Sequence, residues 1–389
     1  LASRQERILN LGLLLRADLR GGAKERTFAI ELCPEHTADL LRSLRLQDRR
    51  VNMRTKAVIF AGVGEVGVGE VNVPHPGAGE VLVRTTLTGI SVGTDGWMIR
   101  GLYAGARERY PMIYGYQRVG VVEEVGPGAD SVEVGDRVFV GLNPTRLEDG
   151  DPLGPLVRNY TGMGCHDHTM VTKIPDVVED VEASMGGVTS TPVVGRNLTR
   201  PEAGDLVLVI GQGMIGQMAA QLYRAAGARV ITADILDNRV ELSGKVSADS
   251  ALNAVTEDVV AAVHAEQSAG ADIVVECTGR SESMPMMLEA VRGACNDSGK
   301  PGKICLQGYF VNPIEINFDE AHHRRLTMTF PCGFDVAGTR EVFDLLAEKR
   351  LNVKDLITHE WHVDQAPEAF QTMLGRPGEV LGMYLRWTD

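Results

Sequence analysis

The feature that most constrains this chain is the run Asp205-Leu-Val-Leu-Val-Ile210, which passes directly into Gly211-Gln-Gly213-Met-Ile-Gly216. A short apolar run bounded by turn residues reads as a strand buried on both faces. The Ala-containing stretch Ile215–Ala226 reads as the helix that follows. A second apolar strand, Arg229-Val-Ile-Thr-Ala-Asp234, ends in an acid roughly 20 residues beyond the last glycine. G-x-G-x-x-G is weak alone, but strand, glycine turn, helix and an acid-terminated strand together predict a dinucleotide-binding βαβ unit. Gly211 permits the tight turn, Gly213 lets backbone approach a pyrophosphate, and Gly216 lets helix and strand pack closely. Met214 and Ile215 open the helix, whose unpaired N–H groups offer partial positive charge to phosphates.

Asp234 is expected to accept both ribose hydroxyls and to repel a 2′-phosphate, which favours NAD(H) over NADP(H). Its alternative role is that of a strand-end cap. Arg239 is placed either over the adenine or in solvent.

The apolar strands continue with Asp272–Cys277 and Lys303–Gln307, alternating with helical stretches. That alternation predicts an α/β fold with a parallel sheet covered on both faces. Earlier in the chain the rhythm differs. Val81–Thr85, Val119–Val125 and Arg137–Val140 are short strands punctuated by Pro74, Pro76, Pro127 and Gly128, the pattern of a small β-barrel domain. The reading divides the chain into an N-terminal extension (1–52), a β-barrel domain (53–187), the dinucleotide domain (188–329) and a tail (330–389). The tail begins with a helix, Gly338–Lys349, and closes with strand-like segments at Thr358–Val363 and Val380–Arg386. In the extension, Ile8–Leu19 and Ala38–Leu46 read as short amphipathic helices.

Of 389 residues, 39 are Lys or Arg and 52 are Asp or Glu, a formal net charge of −13. Such a chain is a poor partner for nucleic acid or an anionic membrane, and a small-molecule substrate is favoured. The uncharged stretch Leu206–Tyr223 is broken by three glycines and reads as strand, turn and helix rather than a membrane span. Six cysteines without a C-x-x-C pair, and no apolar leader within 1–20, are consistent with reduced thiols in a cytoplasmic protein.

From Met53 onward the chain resembles the medium-chain dehydrogenase/reductase superfamily, zinc-type alcohol dehydrogenase-like. The marks are Arg54-Thr-Lys-Ala-Val58, Gly89-Ile-Ser-Val-Gly-Thr-Asp95, the stretch from Gly115-Tyr-Gln-Arg to Val125-Gly126, Val134-Gly-Asp-Arg-Val138, the glycine fingerprint and Ala366-Pro-Glu-Ala-Phe370. The resemblance implies a GroES-like catalytic domain with a Rossmann domain inserted in it, an active site between the two, and a homodimer or homotetramer. Zinc-dependent members read G-I-C-G-T-D and G-H-E and commonly carry a cysteine just before the cofactor domain. Here Val92, Tyr116 and Gly186 or Gly187 stand at those positions. None of these offers the imidazole, thiolate or carboxylate that zinc needs. Only Cys165 lies between Gly141 and Lys173, so a four-cysteine lobe is absent too. The pattern resembles the zinc-less branch with bacteriochlorophyllide dehydrogenase-like proteins, although Gln117 stands where that branch often has Glu.

By position in the resemblance, Thr94 and Tyr116 would hold the substrate oxygen. Each has a bland alternative: a turn hydroxyl for Thr94, a space-filling ring for Tyr116. Asp95 reads as structural. His166 and His168 in Cys165-His-Asp-His168 would share one face if the segment is a strand, and either would then serve as a proton shuttle or simply fill core or surface. Thr278, Gly308 and Tyr309, at strand ends, would lie near the nicotinamide ribose and carboxamide. The expectation is a zinc-independent NAD(H)-dependent oxidoreductase interconverting an alcohol and a carbonyl, its substrate a sugar, polyol or larger hydroxyalkyl compound. The alternatives are a quinone or enone reductase and a non-catalytic NAD-binding regulator.

Overall fold

The apolar strands of the second half form a six-stranded sheet. Its spatial order is Ser250–Asn253, Arg229–Asp234, Leu206–Ile210, Ile273–Glu276, Lys303–Leu306 and Thr327–Thr329, and every neighbouring pair is parallel. The structure is a computed structural model that describes residues 53–103, 106–147, 158–293 and 299–388. The two amphipathic stretches expected within 1–52 lie outside these. Leu206–Ile210 is buried along its whole length. The next strand in sequence lies on one side of it and Ile273–Glu276 on the other, so the strand order reverses there. A crevice opens at such a reversal, beyond the carboxyl ends of the strands. That is where Gly211 begins.

The first half folds around one long strand, Glu80–Ile90. It pairs antiparallel with Arg118–Val125, with Met163–Asp167 and with Gly382–Arg386. The last of these comes from the tail and is flanked by Ile357–His362 in parallel. The C-terminal segment therefore returns to the sheet that the first half begins. The tail helix runs over Val336–Ala347, two residues earlier than expected from the sequence.

One apolar cluster joins the glycine-turn helix to the β domain. Met218 and Leu222 on the glycine-turn helix Met214–Ala225 belong to the same apolar cluster as Phe139, Val188, Val342 and Phe343. Each such side chain stabilises by about 1.5–3 kcal/mol when fully buried, so the position of the glycine turn relative to the β domain is held by packing rather than by a linker. No helix among the described residues is long and apolar enough to cross a membrane.

Three elements escape the sequence pattern. Ser250–Asn253 and Thr327–Thr329 are edge strands too short to show a period. The helix Val92–Ile99 contains two glycines and three β-branched residues, a composition of low helix propensity. It forms because the Asp95 carboxylate accepts the Ser91 N–H at 3.0 Å and so ties its first turn.

Candidate active site

At the glycine turn each glycine has a distinct physical reason. Gly211 sits at φ +89°, and a Cβ there would lie 2.6 Å from Thr278 Cγ2. At Gly216 a Cβ would lie 1.8 Å from the Gly211 carbonyl oxygen, a contact only glycine allows. At Gly213 a Cβ would meet nothing within 4 Å. Gly213 is the N-cap of Met214–Ala225, and no side chain caps that end. An open space in front of uncapped helix N–H groups is the cradle that a pyrophosphate fills. Asp234 lies across its rim, with Oδ2 accepting the Gln212 N–H at 2.5 Å and Oδ1 the Leu236 N–H at 3.0 Å. The carboxylate thus acts as the strand-end cap and stays half-exposed. These residues fit a bound dinucleotide.

Arg239 is neither over an adenine site nor in solvent. It is buried, and its Nη2 donates to the carbonyls of Val380 at 2.5 Å and Pro377 at 3.3 Å. It ties the dinucleotide domain to the tail, a role invisible from local sequence because its partners lie about 140 positions away.

The carboxyl ends of two neighbouring strands bring Thr278, Gly308 and Tyr309 together. A Cβ on Gly308 would lie 2.4 Å from the Gly279 nitrogen, and one on Gly279 would lie 2.4 Å from the Tyr309 carbonyl oxygen. The two turns therefore pack backbone on backbone. Sequence reasoning missed their organiser, Glu276, the one acid in an otherwise apolar strand. It is fully buried and accepts the N–H groups of Thr278 at 2.7 Å and Gly279 at 3.0 Å, along with the hydroxyls of Thr278 and Ser283. Burial pushes its pKa up, against those hydrogen bonds. The Thr278 hydroxyl is already spent on this carboxylate. Tyr309 reaches across the crevice, its ring 4.9 Å from Trp97 and stacked at 5.0 Å on Tyr103. Trp97, Thr278, Gly279, Arg280, Tyr309 and Asn312 line a cavity of about 320 Å³.

On the β-domain side Tyr116 is buried, with the hydroxyls of Ser91 and Thr94 in its vicinity. Burial and the nearby Asp95 charge push its pKa far up, and those two hydroxyls offset only part of this. Tyr116 is therefore a neutral phenol at physiological pH, a donor rather than a base. Asp95 is buried, with Oδ2 accepting the Ser91 N–H at 3.0 Å and the Tyr160 hydroxyl, while Oδ1 has no partner. Gln117 accepts the Val188 N–H at 2.8 Å and so anchors this segment to the helix Gly186–Thr199. A Cβ on Gly187 would lie 3.0 Å from Tyr116 Cδ2 and 3.0 Å from Phe334 Cζ. Aromatic rings fill the volume beside Gly187. Val92, Tyr116 and Gly187 supply no zinc donor. Among the described residues no three His, Cys, Asp or Glu side chains converge as metal ligands.

His166 and His168 are not brought to Tyr116 and Thr94. The strand ends at Asp167, so the two do not share a strand face. His166 is fully buried, with Nε2 2.6 Å from Arg118 Nη1 and Nδ1 3.1 Å from Asn143 Oδ1. Guanidinium only donates, so Nε2 accepts and the ring is held neutral. Burial and the Arg118 charge drive its pKa well below the usual histidine range, so it takes up no proton near neutral pH. His168 bonds the Ser131 hydroxyl at 3.0 Å, in the turn between two β-domain strands. Both are bonded to groups of the β domain, His166 to Arg118 and Asn143 and His168 to Ser131. Arg118 also donates to the carbonyls of Asn159 at 3.1 Å and Thr161 at 3.2 Å. No carboxylate pairs with it among the described residues, and its pKa falls to about 9 on burial.

A parallel six-stranded sheet with a glycine cradle at its order reversal, facing a β domain across an aromatic crevice, defines a two-domain dinucleotide-dependent oxidoreductase. Comparison with known proteins gives the family. Residues 77–182 match the alcohol dehydrogenase GroES-like domain and residues 215–348 the zinc-binding dehydrogenase family. L-threonine 3-dehydrogenase of Pyrococcus furiosus is 30% identical over 339 residues, covering 81% of this chain and 94% of that protein. A sorbitol dehydrogenase of Halalkalibacterium halodurans is 26% identical, covering 84% and 97%. A solved 2R,3R-butanediol dehydrogenase from Bacillus subtilis superposes with a TM-score of 0.73 at 20% identity, covering 86% of this chain and all of that one. An alcohol dehydrogenase from Escherichia coli CFT073, solved with NADH, gives 0.73 at 22% identity, covering 86% and 99%. The chain belongs to the zinc-type medium-chain dehydrogenase/reductase superfamily and is an oxidoreductase of the alcohol/carbonyl type.

Proposed function

We propose that this enzyme is a zinc-independent, NAD(H)-dependent oxidoreductase in which hydroxyl groups do the work that a metal does in its relatives. The observation that carries this reading is Tyr116: a buried, neutral phenol near Ser91 and Thr94, at the position where zinc-dependent relatives place a histidine ligand. The nicotinamide, when bound, supplies or accepts the hydride. The chain must orient the substrate and handle one proton. Tyr116 and Thr94 donate hydrogen bonds to the substrate oxygen and stabilise the charge that develops on it. One preorganised donor of this kind is worth roughly 3–4 kcal/mol in a water-poor site. Asp234 supports NAD(H), since it fills with negative charge the place a 2′-phosphate would need. Trp97, Tyr103 and Tyr309 wall the crevice with rings, which suits a sugar, a polyol or a larger hydroxyalkyl substrate better than a small alcohol. The working unit that the family leads us to expect is a homodimer or homotetramer.

The test combines metal content, cofactor titration and turnover. Purified protein is expected to hold far less than one zinc per chain and to bind NADH more tightly than NADPH. NAD⁺-dependent oxidation is screened with L-threonine, sorbitol and 2,3-butanediol, then with longer secondary alcohols. Tyr116→Phe should lower kcat about 10²-fold with NADH affinity unchanged. Stoichiometric zinc would overturn the reading. Preference for NADPH together with reduction of quinones or enones would replace it with C=C reduction, and binding without any turnover would leave an NAD-binding regulator.

A further inference from the structure

Asp95 is not needed to hold the substrate oxygen, yet the fold surrounds it with phenols and leaves one of its oxygens empty. It is 1% exposed. Oδ2 takes the Ser91 N–H and the Tyr160 hydroxyl, and Tyr160 also approaches the Gly89 carbonyl at 3.3 Å. Oδ1 is buried without any partner. A carboxylate oxygen left bare in a dry site is costly, whereas a protonated one is far less so. The groups facing it are Tyr160, Tyr116 and Tyr114 from neighbouring segments and Ser91 from its own turn. Beside Gly96 lie the Arg100 guanidinium and, from the helix Ala366–Gly375, Met373 and Leu374, while Phe370 of that helix packs against the Tyr160 ring. Arg109 bears on Tyr103 and Tyr114. No cation neutralises Asp95 among the described residues.

We infer that Asp95, backed by Tyr160, is the proton store of this active site. It takes up the proton that an alcohol held at Thr94 and Tyr116 releases on oxidation. This rests on the reading that Tyr116 and Thr94 hold the substrate oxygen. The balance closes without further reagents. The carbinol C–H bond breaks and its electron pair leaves as hydride to the nicotinamide. The O–H bond breaks and the C=O bond forms. The released proton ends on Oδ1 of Asp95, which becomes a neutral acid. In reduction the same proton returns. Burial raises the Asp95 carboxyl to about 7, against the hydrogen bonds of Tyr160 and Ser91. Such a group exchanges a proton reversibly at neutral pH.

The test needs no substrate. NAD⁺ brings a positive ring into the crevice that NADH does not, and a nearby positive charge lowers a carboxyl pKa. In weakly buffered solution at pH 7, mixing the full-length chain with NAD⁺ should release about 0.4 proton per chain for a one-unit fall from half-protonation, read with a pH-indicator dye. NADH should release almost none. Asp95→Asn should abolish the release while still binding NADH. Tyr160→Phe removes a hydrogen bond that favours the charged form, so maximal release should move to higher pH. It decides the matter if the Asn variant fails to bind NADH. Absence of release from the wild type, equal release from Asp95→Asn, or an unmoved pH maximum in Tyr160→Phe overturns the proposal. Because release is read without an alcohol, failure to find a substrate and failure of the proton store are separate results.

Discussion

The indole of Trp97 lies 4.9 Å from the ring of Tyr309, centroid to centroid, at an interplanar angle of 44°. One ring stands on the β-domain helix Val92–Ile99 and the other on the turn that ends Lys303–Leu306, so this contact joins the two halves at the mouth of the crevice. Aromatic pairs of this geometry contribute about 0.5–1.5 kcal/mol beyond their burial. A double-mutant cycle of Trp97→Ala and Tyr309→Ala, read by denaturant unfolding, should return a coupling of about 1 kcal/mol. A coupling indistinguishable from zero would mean that the two rings are neighbours without mutual dependence.

The glycine fingerprint separates stability from binding. Gly213→Val adds a side chain to open space, so Tm should move by less than about 2 °C while NADH affinity falls at least about 100-fold, the branched side chain occupying the phosphate cradle. Gly216→Val drives into the Gly211 carbonyl. Overpacking of that kind costs about 1–3 kcal/mol or more, several degrees in Tm. Differential scanning fluorimetry beside NADH titration reads both. Equal loss of Tm in the two variants would contradict the geometry.

Asp234 holds the N–H groups of Gln212 and Leu236. Asp234→Ala should weaken NADH about 10-fold, which is about 1.4 kcal/mol, and weaken NADPH less, because the repulsion of a 2′-phosphate disappears. Fluorescence titration with both cofactors measures the ratio. An unchanged NADH/NADPH ratio would show that Asp234 serves only as a cap.

His166 has a pH signature. Its pKa in the fold lies well below the unfolded value near 6.5. Above pH 6.5 neither state binds the proton, and stability is unaffected. Below it the unfolded chain takes up a proton that the fold refuses, so stability falls by about 1.4 kcal/mol per unit as pH drops. At pH 7, His166→Leu should cost about 2 kcal/mol, because Arg118 loses an acceptor. By pH 5 the wild type has lost about as much from His166 alone, and the gap should close. Urea unfolding at the two pH values checks this; a gap that stays constant would mean His166 titrates as an exposed histidine does.

Residues 205–234 announced themselves because their signal is local. An apolar strand, three glycines at set spacing and a terminal acid are all read within one βαβ unit, and the structure gives a backbone reason for Gly211 and Gly216 and an open cradle at Gly213. Thr278, Gly308 and Tyr309 were legible by the rule that strand ends line the crevice, though Glu276, which shapes both turns, was not. Arg239 and His166 show the limit. Each is decided by partners far along the chain, Val380 for one and Arg118 for the other. A histidine in sequence carries no mark of whether it will meet a substrate or a buried guanidinium.

What the sequence by itself determined is the parallel sheet, the glycine turn that opens a helix, the acid that ends the next strand, and the presence of Val92, Tyr116 and Gly186 or Gly187 where zinc-dependent relatives carry ligands. These follow from residue type at short spacing, where period and backbone sterics leave few alternatives. Only the tertiary structure decided which polar side chains became chemical groups. Asp95 reads as structural in the sequence, and only in the fold does burial strip its water while Tyr160 bonds one oxygen and nothing meets the other. That environment is assembled from segments about 65 positions apart, and desolvation has no local signature in a sequence.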